Sequence, residues 1–216
     1  MRSGVLLRQA QIPYQEVGLR FDSFSSDSQF KTQISALSPT GKVPLLLDTR
    51  DGRNLAVWDT LAIAEYLAEQ FPQQQLWPGD PALRARARSV CAEMHSGFGQ
   101  LRSLCPMNIE AKLSELGQLL WRDQAGLRSD VARIVSMWEQ LLQSHGGPLL
   151  FGEFCIADAY FAPVVMRLKT YQLPVPATIQ AYMERVCQLS GVQSWVQAAL
   201  AEHDFLDFEE PYRLHP

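Results

Sequence analysis

The chain has 216 residues, of which 47% are hydrophobic and 19% are charged, which is the balance of a globular rather than a disordered protein. Its formal net charge of −4 disfavours a general affinity for nucleic acid or anionic membranes, because both require an excess of basic residues. The sequence contains no apolar run near the roughly 20 residues of a membrane span, and its first residues lack the pattern of a signal peptide. We therefore expect a cytoplasmic protein with no nucleic-acid partner and no membrane partner.

The cysteines and histidines give no sign of a disulfide framework or a metal centre. Four cysteines are far apart in the sequence and none forms a CxxC pair, which favours reduced thiols. The four histidines have none of the spacings that are typical of metal ligands. These residues are Cys91, Cys105, Cys155 and Cys187, with His95, His145, His203 and His215. No metal is expected.

The first part of the chain mixes helix and strand signals. A short apolar segment before Pro13 is typical of the end of a helix. Asp51-Gly52 predicts a hairpin turn, and Asp59 precedes apolar residues at helical spacing. The predicted strands are Tyr14 to Phe21, Val43 to Leu47 and Leu55 to Trp58.

After a proline- and glutamine-rich linker, the remaining sequence predicts helices. Apolar residues between 83 and 105 predict one long amphipathic helix. A second set between 131 and 142 predicts another helix that ends at Gly146, and two or three more follow between 156 and 203. We expect an α/β domain over residues 1–75, a linker over 76–81 and an all-helical domain over 82–216.

The segment Ser38-Pro39-Thr40-Gly41-Lys42-Val43-Pro44 is the first of three informative motifs. A cis bond between Val43 and Pro44 would leave the Val43 backbone free to pair with a peptide-like ligand. The alternative is an ordinary turn that leads into a strand.

The pair Asp59-Thr60 is the second motif, at the start of a predicted helix. The N-terminus of a helix attracts carboxylates, Thr60 adds a hydroxyl, and Asp59 suits a ligand ammonium group. The alternative is that Asp59 only caps the helix.

The segment from Cys155 to Tyr160 is the third motif and has the spacing of a capping box, with Asp158 three residues after the cap position. Pro163 follows inside the same helix. In this order and spacing, the three motifs resemble the glutathione S-transferase superfamily, and its bacterial, zeta-like branch most. The resemblance extends over essentially the whole chain and includes residues 93–98 and 106–109.

The resemblance implies a thioredoxin-like N-terminal domain that binds glutathione and a helical domain that lines the site of a small hydrophobic electrophile. By that resemblance, Val43 before Pro44 pairs with the cysteinyl backbone of glutathione. Asp59 and Thr60 hold its γ-glutamyl end, and Lys42 meets its glycyl carboxylate. Members of the superfamily are usually homodimers, and the implied activity is conjugation or isomerisation.

The sequence departs from the superfamily at its start, which resembles the first helix rather than the first strand. The Ser, Tyr or Cys that contacts the glutathione sulfur is therefore not identified, and Ser3 matches a position inside that helix and does not inherit the role. The catalytic residue is unknown. Either the natural chain begins upstream, or the N-terminal domain is rearranged. The alternative function is a non-catalytic module that binds glutathione or another protein.

Several other residues have two interpretations. Cys155 stands where the superfamily favours Ser or Thr, and is either a reactive thiol at a helix N-terminus or a buried, inert residue. His95 either contacts a substrate or takes part in packing. Residues 207–213 either fold over the helical domain or remain loose. Three tryptophans are expected in the core, namely Trp121, Trp138 and Trp195.

Overall fold

The computed structural model describes residues 1–203, 205–206 and 210–213. In these ranges ten α-helices and two strands follow one another. They are α1 (Arg2–Gln9), α2 (Gln29–Ser35), β1 (Leu46–Asp48), β2 (Leu55–Val57), α3 (Thr60–Gln70), α4 (Pro81–Ser96), α5 (Gly99–Leu104), α6 (Ser114–Asp123), α7 (Ala125–His145), α8 (Ile156–Thr170), α9 (Ala177–Gln188) and α10 (Ser190–Glu202). A small unit with a two-stranded sheet thus precedes a larger helical unit.

The sheet is one antiparallel hairpin in which Leu46 of β1 lies opposite Val57 of β2. Its turn contains Asp51 and Gly52, both with positive φ angles of 52° and 74°, as the sequence predicts. The strand predicted from Val43 to Leu47 is shifted, because β1 begins at Leu46 and ends at Asp48. Residues 43–45 lead into the strand without belonging to it.

The strand predicted from Tyr14 to Phe21 is wrong. These residues form no strand and are mostly exposed. In the described part of the chain the sheet contains only β1 and β2, so the segment has no neighbouring strand to supply hydrogen bonds. It is held instead by side chains, since the Tyr14 hydroxyl accepts a hydrogen bond from Arg8 Nε at 2.9 Å.

Helix α8 forms the centre of the core, with 13 of its 15 residues buried. It packs against α1, α4 and α9. Trp138 of α7 is fully buried and contacts Phe161 and Tyr182 edge to face. The N-terminal helix α1 also packs closely on α10, so both ends of the chain contribute to one core.

The single long helix predicted between residues 83 and 105 is wrong, because the chain breaks into α4 and α5. The break is at Gly97 and Phe98, and Phe98 is left-handed with φ of 59°. Arg102 donates to the carbonyl oxygens of Gly97 (3.0 Å) and Met94, which satisfies acceptors that the end of a helix leaves unpaired. Apolar spacing continues across the break, and therefore does not reveal it.

Helix α7 ends at Gly146, whose φ is 72°, as predicted.

In the part of the chain that the structure describes, no helix combines the length and apolar character needed to cross a bilayer. The described end of the chain contacts the helical unit, since Asn108 donates to Glu210 at 2.8 Å and the Tyr212 hydroxyl donates to the Leu104 carbonyl at 3.2 Å. The rest of the predicted tail, residues 207–209, lies outside the described residues.

Candidate functional site

The hairpin register places the first two motifs at the same end of the sheet. Because Leu46 pairs with Val57, the residues before β1 and those after β2 leave the sheet together. Val43–Pro44 and Trp58–Asp59 are both cis peptide bonds. Val43 is 57% exposed. Lys42, Val43 and Pro44 thus form an open loop beside the start of α3.

Asp59 is the N-cap of α3, which agrees with the interpretation that this residue caps the helix. Its Oδ1 accepts the Leu61 N–H at 3.1 Å, and its Oδ2 lies 3.2 Å from His95 Nε2. The side chain is still 52% exposed. Capping therefore leaves part of the carboxylate open to solvent, and a role in ligand binding remains a prediction.

Thr60 is fixed by two donors. Its Oγ1 lies 3.1 Å from Nη1 of Arg2 and 2.9 Å from the hydroxyl of Tyr160. Arginine can only donate, so Oγ1 accepts from Arg2, and the Tyr160 hydroxyl is positioned as a second donor. The proton of Thr60 then remains available for a ligand acceptor.

His95 links these residues, and its partners determine its tautomer. Its Nδ1 lies 3.1 Å from Arg2 Nη1. Because the guanidinium has no acceptor, Nδ1 accepts and the proton is on Nε2, which faces Asp59. We refer to Arg2, Asp59, Thr60, His95 and Tyr160 as the polar network.

Tyr160 is a permanent donor in this network. Burial raises its pKa to about 12, although the bond with Thr60 and the charge of Arg2 act in the opposite direction. The Arg2 guanidinium lies over the Tyr160 ring, 5.2 Å from its centroid. At neutral pH the hydroxyl is therefore protonated and holds Thr60 in place.

The sequence interpretation missed Arg2 and Tyr160. Arg2 precedes the apolar residues of α1, and Tyr160 reads as one more core residue of α8. Arg2 lies 58 residues before Thr60 in the sequence, and Tyr160 lies 100 residues after it. No local spacing carries such information.

Cys155 is buried, and burial raises the pKa of its thiol well above the usual range. This favours the inert interpretation, because a reactive cysteine needs an accessible thiolate. Its backbone N–H donates to Asp158 at 3.1 Å, which is the backbone contact expected of a capping box. All four cysteines are free thiols.

Two further observations concern catalysis and metals. Ser3 Oγ is buried and has no hydrogen-bond partner among the described residues. Within the same residues, no three His, Cys, Asp or Glu side chains are grouped so as to hold a metal ion.

Comparison with known proteins identifies the family. Residues 1–70 match the family of glutathione S-transferase N-terminal domains. The maleylacetoacetate isomerase of Rattus norvegicus is 30% identical over 146 residues, which cover 67% of this chain and 62% of the isomerase. This chain belongs to the glutathione S-transferase superfamily. The comparisons confirm the glutathione transferase fold that the resemblance implies. They also place the chain in a family of transferase enzymes.

Other relatives of this transferase-family chain extend over nearly its full length. A stringent starvation protein A homolog of Haemophilus ducreyi is 24% identical and covers 92% of this chain, which spans 85% of that protein. A solved structure of a glutathione transferase homolog from Burkholderia, with bound glutathione, is 27% identical with a TM-score of 0.62. The match covers 93% of this chain and 90% of the Burkholderia chain.

Proposed function

We propose that the chain binds glutathione where the loop before β1 meets the start of α3. In this proposal residues 1–75 form the glutathione-binding domain. Val43, beside Pro44, pairs with the cysteinyl backbone, and Lys42 meets the glycyl carboxylate. Asp59 and Thr60 hold the γ-glutamyl end. The bound glutathione of the Burkholderia relative supports the choice of ligand.

The arrangement around Thr60 is the observation that carries the proposal. Its oxygen faces two donors, Arg2 and Tyr160, so its own proton is directed to a further acceptor. It stands in the first turn of α3, where backbone N–H groups and the helix dipole favour a carboxylate. A ligand carboxylate fits both features.

Asp59 supplies the complementary charge. Among the described residues, each of its oxygens has one partner, Leu61 N–H on Oδ1 and His95 on Oδ2. A carboxylate oxygen accepts up to two hydrogen bonds, so capacity remains for an ammonium group. A carboxylate acceptor beside a hydroxyl donor matches the α-amino and α-carboxylate groups of a γ-glutamyl residue.

With glutathione held there, residues 82–216 line the site of a small hydrophobic electrophile. The protein then conjugates or isomerises it by positioning the thiolate against it. The residue that contacts the sulfur is not assigned. We propose a cytoplasmic homodimer with a role in detoxification.

A non-catalytic glutathione-binding or interaction module is the second candidate. In the superfamily that the chain resembles, the residue that contacts the glutathione sulfur follows a first strand. The sheet of the described residues has only the strands β1 and β2, and this favours the second candidate. The Haemophilus ducreyi relative, whose name states no transferase activity, is compatible with it.

Turnover separates the two candidates. The chain and Thr60→Ala are assayed with glutathione and a panel of aryl halides, epoxides and activated alkenes. Turnover above the uncatalysed rate that falls at least tenfold in Thr60→Ala supports the transferase. Saturable glutathione binding without turnover of any of these electrophiles supports the module.

A further inference from the structure

A groove opens on the surface of the helical unit, along α9 and beside the last turn of α8. Its volume is about 410 Å³, which lies within the roughly 300–1,000 Å³ of small-molecule sites. Six residues line it, namely Lys169, Gln180, Met183, Glu184, Cys187 and Gln188. We refer to these six residues as the α9 groove.

The α9 groove is separate from the proposed glutathione site. Both include a residue of α8, but Tyr160 of the polar network is in the second turn of that helix and Lys169 is in its last turn. At the rise of an α-helix, the nine residues between them correspond to roughly 14 Å along the axis. A molecule in the α9 groove therefore leaves the glutathione site open.

The spacing of residues along α9 gives the groove an apolar floor and polar edges. Positions 180, 183, 184, 187 and 188 share one face of the helix, because they recur at intervals of three and four residues. Met183 and Cys187 are half-buried and pack against the core. The other four lining residues are exposed. An apolar floor with a few polar groups at its edges is typical of a small-molecule site.

Lys169 and Glu184 provide opposite charges that the fold itself does not use. Among the described residues, neither side chain forms an ion pair. Burial raises the pKa of the Cys187 thiol, the positive charge of Lys169 opposes this rise, and the negative charge of Glu184 adds to it. Both charges therefore act on the floor of the groove, where a ligand would meet them together.

We propose that the α9 groove binds a free amino acid with a large apolar side chain. Lys169 pairs with its carboxylate and Glu184 with its ammonium group, since one charge of each sign is complementary to a zwitterion. Met183 and Cys187 contact its side chain. A thioether sulfur makes favourable contacts with aromatic rings, so an aromatic side chain suits this floor. The inference does not depend on the proposed function.

Alkylation of Cys187 measures occupancy of the groove directly. The other three cysteines are buried, whereas Cys187 is partly accessible, so iodoacetamide is expected to modify it first, as peptide mass spectrometry shows. L-Phenylalanine is the probe, and its dissociation constant is the concentration that halves the alkylation rate. Three analogues test the charges. 3-Phenylpropanoate lacks the ammonium group, 2-phenylethylamine lacks the carboxylate, and N-acetylphenylalaninamide lacks both and resembles a segment of a peptide.

L-Phenylalanine is expected to protect Cys187 saturably. The two singly charged analogues should bind about three- to fivefold more weakly, because exposed ion pairs are worth little each, and the neutral analogue at least tenfold more weakly. Absence of protection by phenylalanine, or of any alkylation of Cys187 in the folded chain, overturns the proposal. Equal protection by N-acetylphenylalaninamide overturns the assignment to a free amino acid and favours a peptide.

Two charge-removing variants locate the binding. Lys169→Met and Glu184→Gln should each raise the dissociation constant of phenylalanine about three- to fivefold. Lys112→Met and Glu115→Gln are the matched controls, because both residues are exposed and lie outside the groove, and they should leave it unchanged. Lys169→Met should also bind phenylalanine and 2-phenylethylamine equally, since the carboxylate has lost its partner. Equal affinities in all four variants overturn the proposal.

Glutathione titrations of the same variants test whether the two sites are separate. Lys169→Met and Glu184→Gln are expected to bind glutathione within twofold of the wild type. Loss of glutathione binding in either variant overturns the claim of a separate site. Phenylalanine binding in a wild type that does not bind glutathione rejects the proposed function and supports the α9 groove.

Discussion

His95 Nε2 lies 3.2 Å from Oδ2 of Asp59, and this contact joins the last turn of α4 to the first turn of α3. The two residues are 36 positions apart, on either side of the linker predicted at 76–81. Because His95 belongs to the helical unit, the orientation of the Asp59 carboxylate depends on that unit. Arg2 of α1 donates to the other nitrogen of the His95 ring. The candidate ligand site is therefore shared between the two units of the chain.

The Tyr160 hydroxyl is expected to position Thr60. Tyr160→Phe removes this donor and keeps the ring, so glutathione affinity should fall about three- to tenfold, as for the loss of one hydrogen bond of about 1 kcal/mol. Calorimetric titration measures it. Tyr171→Phe is the control, because that hydroxyl donates to the Pro106 carbonyl at 3.2 Å, away from Thr60. An equal loss of affinity in both variants would contradict the role given to Tyr160.

Asp158 is expected to make stability depend on pH. Burial raises its pKa from 3.8 to about 6, although the N–H groups of Leu150 and Cys155 and the hydroxyl of Tyr182 oppose this shift. The folded state thus binds the proton more tightly than the unfolded state. The free energy of unfolding should fall as pH rises from about 4 to about 6, by up to about 3 kcal/mol.

Denaturant unfolding at a series of pH values tests this contribution. Asp158→Asn should be less stable overall, because its amide nitrogen cannot accept the bonds that a carboxylate oxygen accepts. It should also lack the fall between about pH 4 and pH 6. The account of Asp158 fails if wild type and variant show the same pH dependence.

Gly117 is expected to be essential for packing of α6. A Cβ there would overlap the backbone carbonyl oxygen of Tyr171, which cannot move away as a flexible side chain can. Gly117→Ala should lower the free energy of unfolding by about 3 kcal/mol or more. At Gly99 a Cβ has no heavy atom within 4 Å, so Gly99→Ala should stay within about 1 kcal/mol of the wild type. Thermal unfolding compares them, and similar stabilities would refute the close approach.

Local chemistry explains which features could be predicted from the sequence. The Asp51-Gly52 hairpin, the cap at Asp59 and the end of α7 at Gly146 depend on neighbouring residues, so their signals are local. The predicted strand from Tyr14 to Phe21 failed because a strand requires a partner, and alternation alone does not supply one.

The candidate site was predictable only in part, for the same reason. Asp59 and Thr60 carry a local signal at the start of a helix, whereas His95 had two open interpretations. Arg2 and Tyr160 meet Thr60 only after α1, α3 and α8 pack together. The break between α4 and α5 was hidden because the apolar spacing continues through Phe98.

A calorimetric titration of this chain with glutathione decides whether the proposed site binds its ligand. Asp59→Ala is compared with Asp80→Ala, because Asp80 caps α4 in the same way through the Leu83 N–H at 2.8 Å. Each variant loses a cap of about 1 kcal/mol, but only Asp59 belongs to the proposed site. We predict saturable binding that Asp59→Ala weakens at least tenfold and Asp80→Ala leaves within twofold. No binding by the wild type, or equal binding by both variants, would contradict the account.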